Sequence, residues 1–412
     1  ATTYFEVSGA WFSNREDSYV YEDPYDPRFP DYTRGLATGG SSFLTGGAEN
    51  LHLHRESRYL GGKADLVSQI TQEHQLKFGV EAKIHRIWIH NFGIRNDQST
   101  NFKPQPAEFG SSQFAHTILR PQQYSAYMQD KMEFDDFIVN LGARFDYFNP
   151  KGQVLVEQLR LNSSPKLIDA KTESQVSPRV GISYPITDKG VLHISYGHFF
   201  QVPQFDLMYL NPAYNINATT AFQVGNPGLK SQRTVAYELG VQQQLSVDIK
   251  IDATGYYKDF RNLIGTQVYD IGNGNLYAQY VNRDYGNAKG IIISLEKRHT
   301  HGFSATLDYT FQIAQGNASD PNAVFLDNQT SPPRESQKQL APLDWDRKHS
   351  LNLTATVGTL DDFTMTLIGK LGSGLPYTPS QSNQRTGLVN SETRPTTVSV
   401  DLYVTKYFSF FG

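Results

Sequence analysis

The chain has 412 residues, no cysteine and a formal net charge of −4 at pH 7. The absence of cysteine excludes disulfides, zinc–thiolate sites and cysteine nucleophiles, and the nearly neutral charge gives no indication of nucleic-acid binding. Aromatic residues make up 13% of the sequence, yet no run approaches the roughly 18 apolar residues of a membrane-spanning helix.

The main pattern along the chain is strict alternation of apolar and polar residues, which indicates β-strands with two different faces. It predicts about 14 strands, most of them roughly 12 to 15 residues long. A tilted strand needs about 9 to 11 residues to cross a bilayer, whereas ordinary globular strands have about 5 to 6. The alternation occurs in Gln75–Lys83, Phe137–Phe148, Gly190–Gly197, Thr234–Leu245, Gly302–Phe311, Ser350–Val357, Phe363–Lys370 and Thr397–Thr405.

The connections between these strands alternate between short turns and long loops, which is typical of an outer-membrane barrel and unusual in a soluble sandwich. Short turns are predicted near Gln72–His74, Asp135–Asp136, Thr187–Lys189, Ser246–Asp248, Thr300–His301 and Leu360–Asp361. Long loops rich in Gly, Pro, Asn and Ser are predicted at about Asn14–Ser57, Asn91–Arg120, Asn149–Ser174, Pro203–Ser231, Arg261–Tyr285, Ala314–Leu343 and Leu375–Pro395.

The predicted fold is therefore all-β: a transmembrane antiparallel up-and-down β-barrel whose apolar face meets lipid and whose polar face lines the lumen. We expect Phe303, Leu307 and Phe311 to face outward and Ser304, Thr306 and Asp308 to face inward. Aromatic residues near strand ends suit the two girdles at the membrane interfaces. These groups lie at Tyr147–Pro150, Gly197–Pro203, Gly255–Phe260 and Lys406–Phe411.

Charged residues that alternate with the apolar ones are predicted to line the lumen, since a wide barrel needs polar inner walls. None is assigned as a substrate ligand. They are Glu81, Arg144, Asp146, Glu238, Asp252, Glu296, Asp308 and Asp401.

The sequence contains no convincing catalytic constellation, and no catalytic, cofactor-binding or metal-binding residue is assigned. The glycine-rich stretch Gly39–Gly47 lacks the Lys-Ser/Thr ending of a phosphate-binding loop and is interpreted as a loop. His52 and His54 share a strand face, so with Glu56 they are a candidate metal site; the alternative is a solvated pair. A second candidate set would line the rim and meet an anionic ligand, or form a polar rim without a ligand: His85, Arg86, His90 and Arg95.

Several segments together resemble TonB-dependent receptors of the outer membrane. Asn226–Ile264 resembles that family's Asn-Pro-x-Leu-Lys-x-Glu loop with its two following strands, although Gln232 stands where Glu is usual. Tyr21–Tyr32 resembles an early extracellular loop and leans towards the SusC-like branch. Ser177–Pro203 and Pro342–Leu353 resemble further segments of the same barrel.

The resemblance implies a barrel of about 22 strands filled by an N-terminal plug domain. We expect residues 1–412 to be part of this single outer-membrane barrel domain, without the plug, the first strands and the final hairpin. The first and last strands would then pair with strands that this sequence does not contain, because bare strand edges are not tolerated in lipid. The family resemblance also implies that the lumen charges make polar contacts with the plug.

The resemblance implies an energised importer in the outer membrane that takes up a scarce or bulky nutrient, such as an oligosaccharide, peptide or siderophore. Its partners would be the TonB complex acting through the plug, outer-membrane lipid and, in the SusC-like branch, a surface lipoprotein lid. No enzymatic activity, cofactor or nucleic-acid partner is expected. A passive porin or an adhesin on a similar barrel is the alternative, and a soluble carbohydrate-binding protein or hydrolase is a third class.

Overall fold

A computed structural model describes residues 2–30, 49–108, 114–161, 163–214, 216, 221–272, 274–329, 333–334, 339–359, 361–381 and 384–408. One large, mostly antiparallel sheet dominates it. Its principal strands are β1 (Thr3–Ser18), β2 (Leu51–Gln69), β3 (His74–Arg95), β4 (Phe114–Leu119), β5 (Gln122–Glu133), β6 (Ile138–Asn149), β7 (Glu173–Thr187), β8 (Gly190–Gln201), β9 (Gln232–Gln244), β10 (Ile249–Gly272), β11 (Asn275–Thr300), β12 (Phe303–Gly316), β13 (His349–Thr359), β14 (Phe363–Gly372) and β15 (Thr397–Lys406).

Strands β4 and β5 are two parts of one strand, because both pair with β3 and only Arg120 and Pro121 separate them. Proline has no N–H to give to the ladder, so the strand is interrupted there. Counted in this way, the described residues form a wall of 14 strands, as the alternation predicted. Each strand pairs antiparallel with its neighbours in sequence, which confirms the up-and-down order.

Register separates an apolar row from a polar row across five neighbouring strands. Leu295, Leu307, Leu353, Gly369 and Val400 lie directly opposite one another from β11 to β15. One residue away, the polar row places Ser294, Asp308, Asn352, Lys370 and Ser399 side by side. Such separation follows from the two-residue period of a strand, because every second side chain points to the same face.

The apolar face of this wall is uncovered by protein. Val398, Val400 and Leu402 are 67%, 64% and 59% exposed. A sandwich would bury these residues against a second sheet, whereas lipid covers them in a barrel. The register confirms that Phe303, Leu307 and Phe311 lie on this outward face.

The loop-length pattern is confirmed at the short turns and at all but one of the long loops. Between Arg261 and Tyr285, however, the prediction of a loop is wrong. Strands β10 and β11 continue through this region as a hairpin, with the turn at Gly272–Asn275. Irregular pairing between Phe260 and Ile264 absorbs the residues that break the alternation, and such bulges let a ladder continue past a mismatch. The glycine-rich stretch Gly39–Gly47 lies outside the described residues.

The outermost strands each have one unpaired edge among the described residues: β1 pairs only with β2, and β15 only with β14. The pairing of these edges with strands of a larger barrel stays a prediction.

The remaining elements lie in the long connections. They are a 3₁₀ turn at Gln98–Thr100, helix α1 (Phe205–Tyr209), helix α2 (Ala323–Asn328), and short strands at Gln105–Pro106, Gln153–Leu155, Leu167–Asp169, Phe222–Val224, Ala341–Pro342, Pro376–Tyr377, Ser380–Gln381, Gln384–Arg385 and Glu392–Thr393. None of the helices in the described ranges has the length and apolar character needed to span a bilayer.

We expect Leu307→Arg to destabilise the wall by about 2 to 4 kcal/mol, because it places a charge on the lipid face near mid-strand. The matched control is Thr306→Arg, which points into the lumen opposite Glu296. Equilibrium unfolding in lipid vesicles measures both free energies. Equal destabilisation by the two variants would contradict the assignment of faces.

Candidate functional site

A short helix lies across the loop end of the wall, on its concave side. Helix α1 belongs to the connection between β8 and β9, and its Met208 and Tyr209 are buried. Strands as far apart in the wall as β3 and β11 contribute to one apolar cluster with this helix, which is possible only across the inside of a curved sheet. The wall residues in the cluster are Ile87, Leu119, Phe148, Ile264 and Tyr280.

The chain must pass very close to α1 at Gly225. A Cβ atom there would lie 2.5 Å from the carbonyl oxygen of Met208 and 2.6 Å from the amide nitrogen of Leu210. Only glycine permits this approach, and the Gly225 N–H donates to the Leu210 carbonyl at 2.7 Å. The Tyr209 hydroxyl donates to the Pro150 carbonyl. Burial raises the pKa of the Tyr209 phenol, so the hydroxyl remains a neutral donor at physiological pH.

A second loop fixes the same region from the opposite side. The side-chain oxygen of Asn322, beside α2, accepts hydrogen bonds from the Tyr280 hydroxyl (2.9 Å) and from Gln223 Nε2 (2.7 Å). The short strand Phe222–Val224 also pairs in parallel with β11 at Tyr277–Gln279. The α1 connection is therefore tied to the extended β10–β11 hairpin by backbone and side-chain bonds.

A cavity of about 570 Å³ lies between α1 and the inner faces of β1 to β4. Arg55 Nη1 lies 3.2 Å from Asp206 Oδ1, and the Phe205 ring stands edge-on to His85, with 5.0 Å between centroids. Two buried polar atoms in the cavity lining, Arg55 Nε and Asn91 Oδ1, have no hydrogen-bond partner within the described part of the chain. A third such atom, His85 Nε2, belongs to the histidine that stands against Phe205.

Unpaired buried polar atoms cost about 1 to 3 kcal/mol each, and a ligand with complementary polar groups recovers that free energy. The arrangement is therefore suited to binding a polar molecule next to apolar surface.

Below α1 the wall is polar, and most of its predicted lumen charges have partners within the wall, either an opposite charge or a hydroxyl group. Register places all the predicted lumen charges on the same face as Ile87, which confirms their inward orientation. Arg144 contacts Asp146 at 2.8 Å and Glu81 at 3.5 Å. Further pairs join Lys250 to Glu296, Ser195 to Glu238, Thr254 to Asp252 and Ser294 to Asp308.

The predicted rim set is not brought together. His85 and Arg95 lie at odd positions of β3 and face inward, whereas Arg86 and His90 lie at even positions and face outward. Alternation along the strand decides this, because a step of one residue changes the face. Of the four, only His85 lies against α1.

The candidate metal site of His52, His54 and Glu56 is also wrong. The three residues share the outer face, but His52 is buried and stacks on Phe92 at 5.0 Å. His54 Nδ1 is bonded to Asp17, and Glu56 is held by Arg58 and Arg86. Over the described ranges no group of three or more His, Cys, Asp or Glu side chains is arranged to hold a metal ion.

Sequence reasoning missed α1 itself. The signal was present, because Phe205, Met208 and Tyr209 have the i, i+3, i+4 spacing of an apolar helix face. Five residues are too few to be recognised against a loop that is rich in proline and asparagine.

Residues 2–412 match the family model described as "TonB dependent receptor-like, beta-barrel". No curated protein matches the chain. Solved structures share its fold. The copper transporter OprC has 14% identity and a TM-score of 0.61, and the match covers 99% of this chain and 54% of the OprC chain. The FrpB iron transporter from Neisseria meningitidis in apoprotein form has 12% identity and a TM-score of 0.61, and the match covers 98% of this chain and 54% of the FrpB chain. The outer membrane transporter YddB from Escherichia coli has 13% identity and a TM-score of 0.60, and the match covers 86% of this chain and 47% of the YddB chain.

The chain thus spans about half the length of these transporters. The family match extends over almost all of the chain and agrees with the antiparallel 14-stranded wall, its outward apolar face and its polar lumen. The chain belongs to the TonB-dependent receptor-like β-barrel family of the outer membrane.

Proposed function

We propose that this chain forms part of the barrel wall of an energised importer that admits a scarce or bulky nutrient to the periplasm. It also forms the mouth, by which we mean the opening at the loop end of the wall. The observation that carries the proposal is the apolar cluster around α1, which joins opposite sides of the mouth. Such a cluster narrows the opening at the loop end, so passage of a bulky solute would require it to rearrange.

The lumen supports the same proposal. A barrel of about 22 strands leaves an opening far wider than side chains can fill, so a plug domain must occupy it. Several wall charges are half-buried and already form ion pairs within the wall, as Arg144 does with Glu81 and Asp146 and Lys250 does with Glu296. A plug that binds them makes many weak polar contacts, and after its departure the ion pairs of Arg144 and Lys250 within the wall remain.

We expect the plug to be the element that TonB displaces, with Glu81, Arg144, Asp146 and Glu238 among its contacts on the wall. Outer-membrane lipid would cover the apolar face. The SusC-like subtype and its lipoprotein lid stay predictions; the loop that suggested them packs against the wall through Phe29, whose carbonyl accepts from Asn96 Nδ2 at 2.7 Å.

A passive porin is the alternative function. Porins also carry an inward loop, but a diffusion pore needs a polar opening through it. Here the inward segment buries Met208 and Tyr209 against aliphatic and aromatic wall residues, and this favours a closed resting state.

We predict that Met208→Ala loosens α1, because it removes a fully buried side chain, a change that typically costs about 2 to 5 kcal/mol. The natural chain has no cysteine, so Ile87→Cys can report on access to the mouth. Labelling of this cysteine on intact cells by a membrane-impermeant maleimide should be faster in the Met208→Ala background. Asp206→Ala, on the same helix but 70% exposed in its side chain, is the matched control and should change the rate little. Slow labelling in both backgrounds would mean that α1 does not close the mouth.

Uptake is predicted to need TonB and the proton gradient. Cells that produce the full-length gene product, with and without TonB, are given dilute ferric siderophores, Cu²⁺, cobalamin and oligosaccharides. We expect accumulation of at least one of these solutes only in the cells with TonB. Equal uptake in both strains, saturating only at high concentration, would establish a porin and overturn the proposal.

A further inference from the structure

Four residues form a straight row on the outer face of the wall. Asp17, His54, His90 and His116 lie directly opposite one another on β1, β2, β3 and β4. His54 Nδ1 bonds to Asp17 Oδ1 at 2.7 Å. At the other end of the row, His90 Nδ1 and His116 Nδ1 are only 3.1 Å apart.

This row lies beyond the lipid-facing part of the wall. The outer face of β3 is apolar up to Ile84 and continues with Arg86, which is bonded to Glu56 at 2.9 Å. His90 comes six residues after Ile84, about 20 Å further along the strand. His116 is exposed. The His90–His116 pair is therefore open to water on the extracellular side.

The separation of the two nitrogens fits a shared metal ion. Imidazole nitrogens bind divalent transition-metal ions such as Zn²⁺ at about 2.0 to 2.1 Å. Two bonds of about 2.05 Å across a gap of 3.1 Å enclose an angle of about 98°. That value lies between the square-planar angle of about 90° and the tetrahedral angle of about 109° that these ions adopt.

The two rings are also held in place before any ion binds. The His90 ring stacks on Trp88 with 6.0 Å between centroids and an angle of 8°, and it stands edge-on to Phe114 at 5.5 Å. His54 stacks beside His90 at 6.0 Å, while its Nδ1 is occupied by Asp17. His54 therefore packs beside the ring of His90, and among the described residues no third His, Cys, Asp or Glu completes a ligand set with the pair.

We propose that His90 and His116 form a two-histidine binding site for a divalent transition metal, Cu²⁺, Ni²⁺ or Zn²⁺, with water completing the coordination. Imidazole ligands suit these ions, and Cu²⁺ binds most tightly among them. Ca²⁺ and Mg²⁺ prefer oxygen ligands and do not compete. The site lies on the outer face, separate from the mouth cavity, and does not depend on the proposed import function.

Trp88 provides the readout because its ring contacts both histidines, at 6.0 Å from His90 and 6.5 Å from His116. The full chain in detergent is titrated with Cu²⁺ while tryptophan fluorescence is recorded. We expect saturable quenching by Cu²⁺ that the chelator EDTA or a large excess of Zn²⁺ reverses and that an excess of Ca²⁺ does not reverse. Replacing a ligand, in His116→Ala or His90→Ala, should raise the Cu²⁺ concentration at half-quenching about tenfold or more.

Two further variants separate the site from general effects. His349→Ala removes another outer-face histidine, one that contacts Tyr309 on a distant strand, and should leave the titration unchanged. Trp88→Phe should abolish the quenching but retain the heat of Cu²⁺ binding in calorimetry. Far-UV circular dichroism checks that each variant is folded. Quenching that is equal in His116→Ala and the natural chain, or that never saturates, would show that the two histidines share only a proton and would overturn the proposal.

Discussion

The structure depends on one constraint: in lipid, every backbone N–H and C=O must find its partner within the protein. Strands meet it only through a continuous ladder, so each wall strand pairs on both sides wherever a neighbour is present. The ladder in turn forces the two-residue period on the side chains. The apolar row through Leu307 and the polar row through Asp308 are its direct consequence.

A wall built in this way encloses a space that its own side chains cannot fill. The inner charges compensate one another locally, as Arg144 does with Asp146, and they contribute little to closure because exposed ion pairs are weak. At the loop end, by contrast, a few apolar contacts around Met208 and Tyr209 hold helix α1 against the wall.

The strands are longer than a bilayer requires. Crossing takes about 9 to 11 residues, whereas β3 has 22 and β11 has 26. The excess length continues the ladder above the lipid, where the outer face no longer needs to be apolar. That region accommodates Glu56 with its two arginines, the histidine row on the outer side and the cavity beside α1 on the inner side.

The sequence by itself determined the strand count, the sorting of turns and loops except between Arg261 and Tyr285, and the outward or inward direction of residues such as Leu307 and Asp308. These properties follow from a local period that no distant contact alters. It could not place α1, the pairing of His90 with His116, or the burial of His52, because each joins residues from different strands or loops. Only the tertiary structure decided them: register sets which residues of neighbouring strands meet, and the curvature of the sheet brings β3 and β11 to the same short helix.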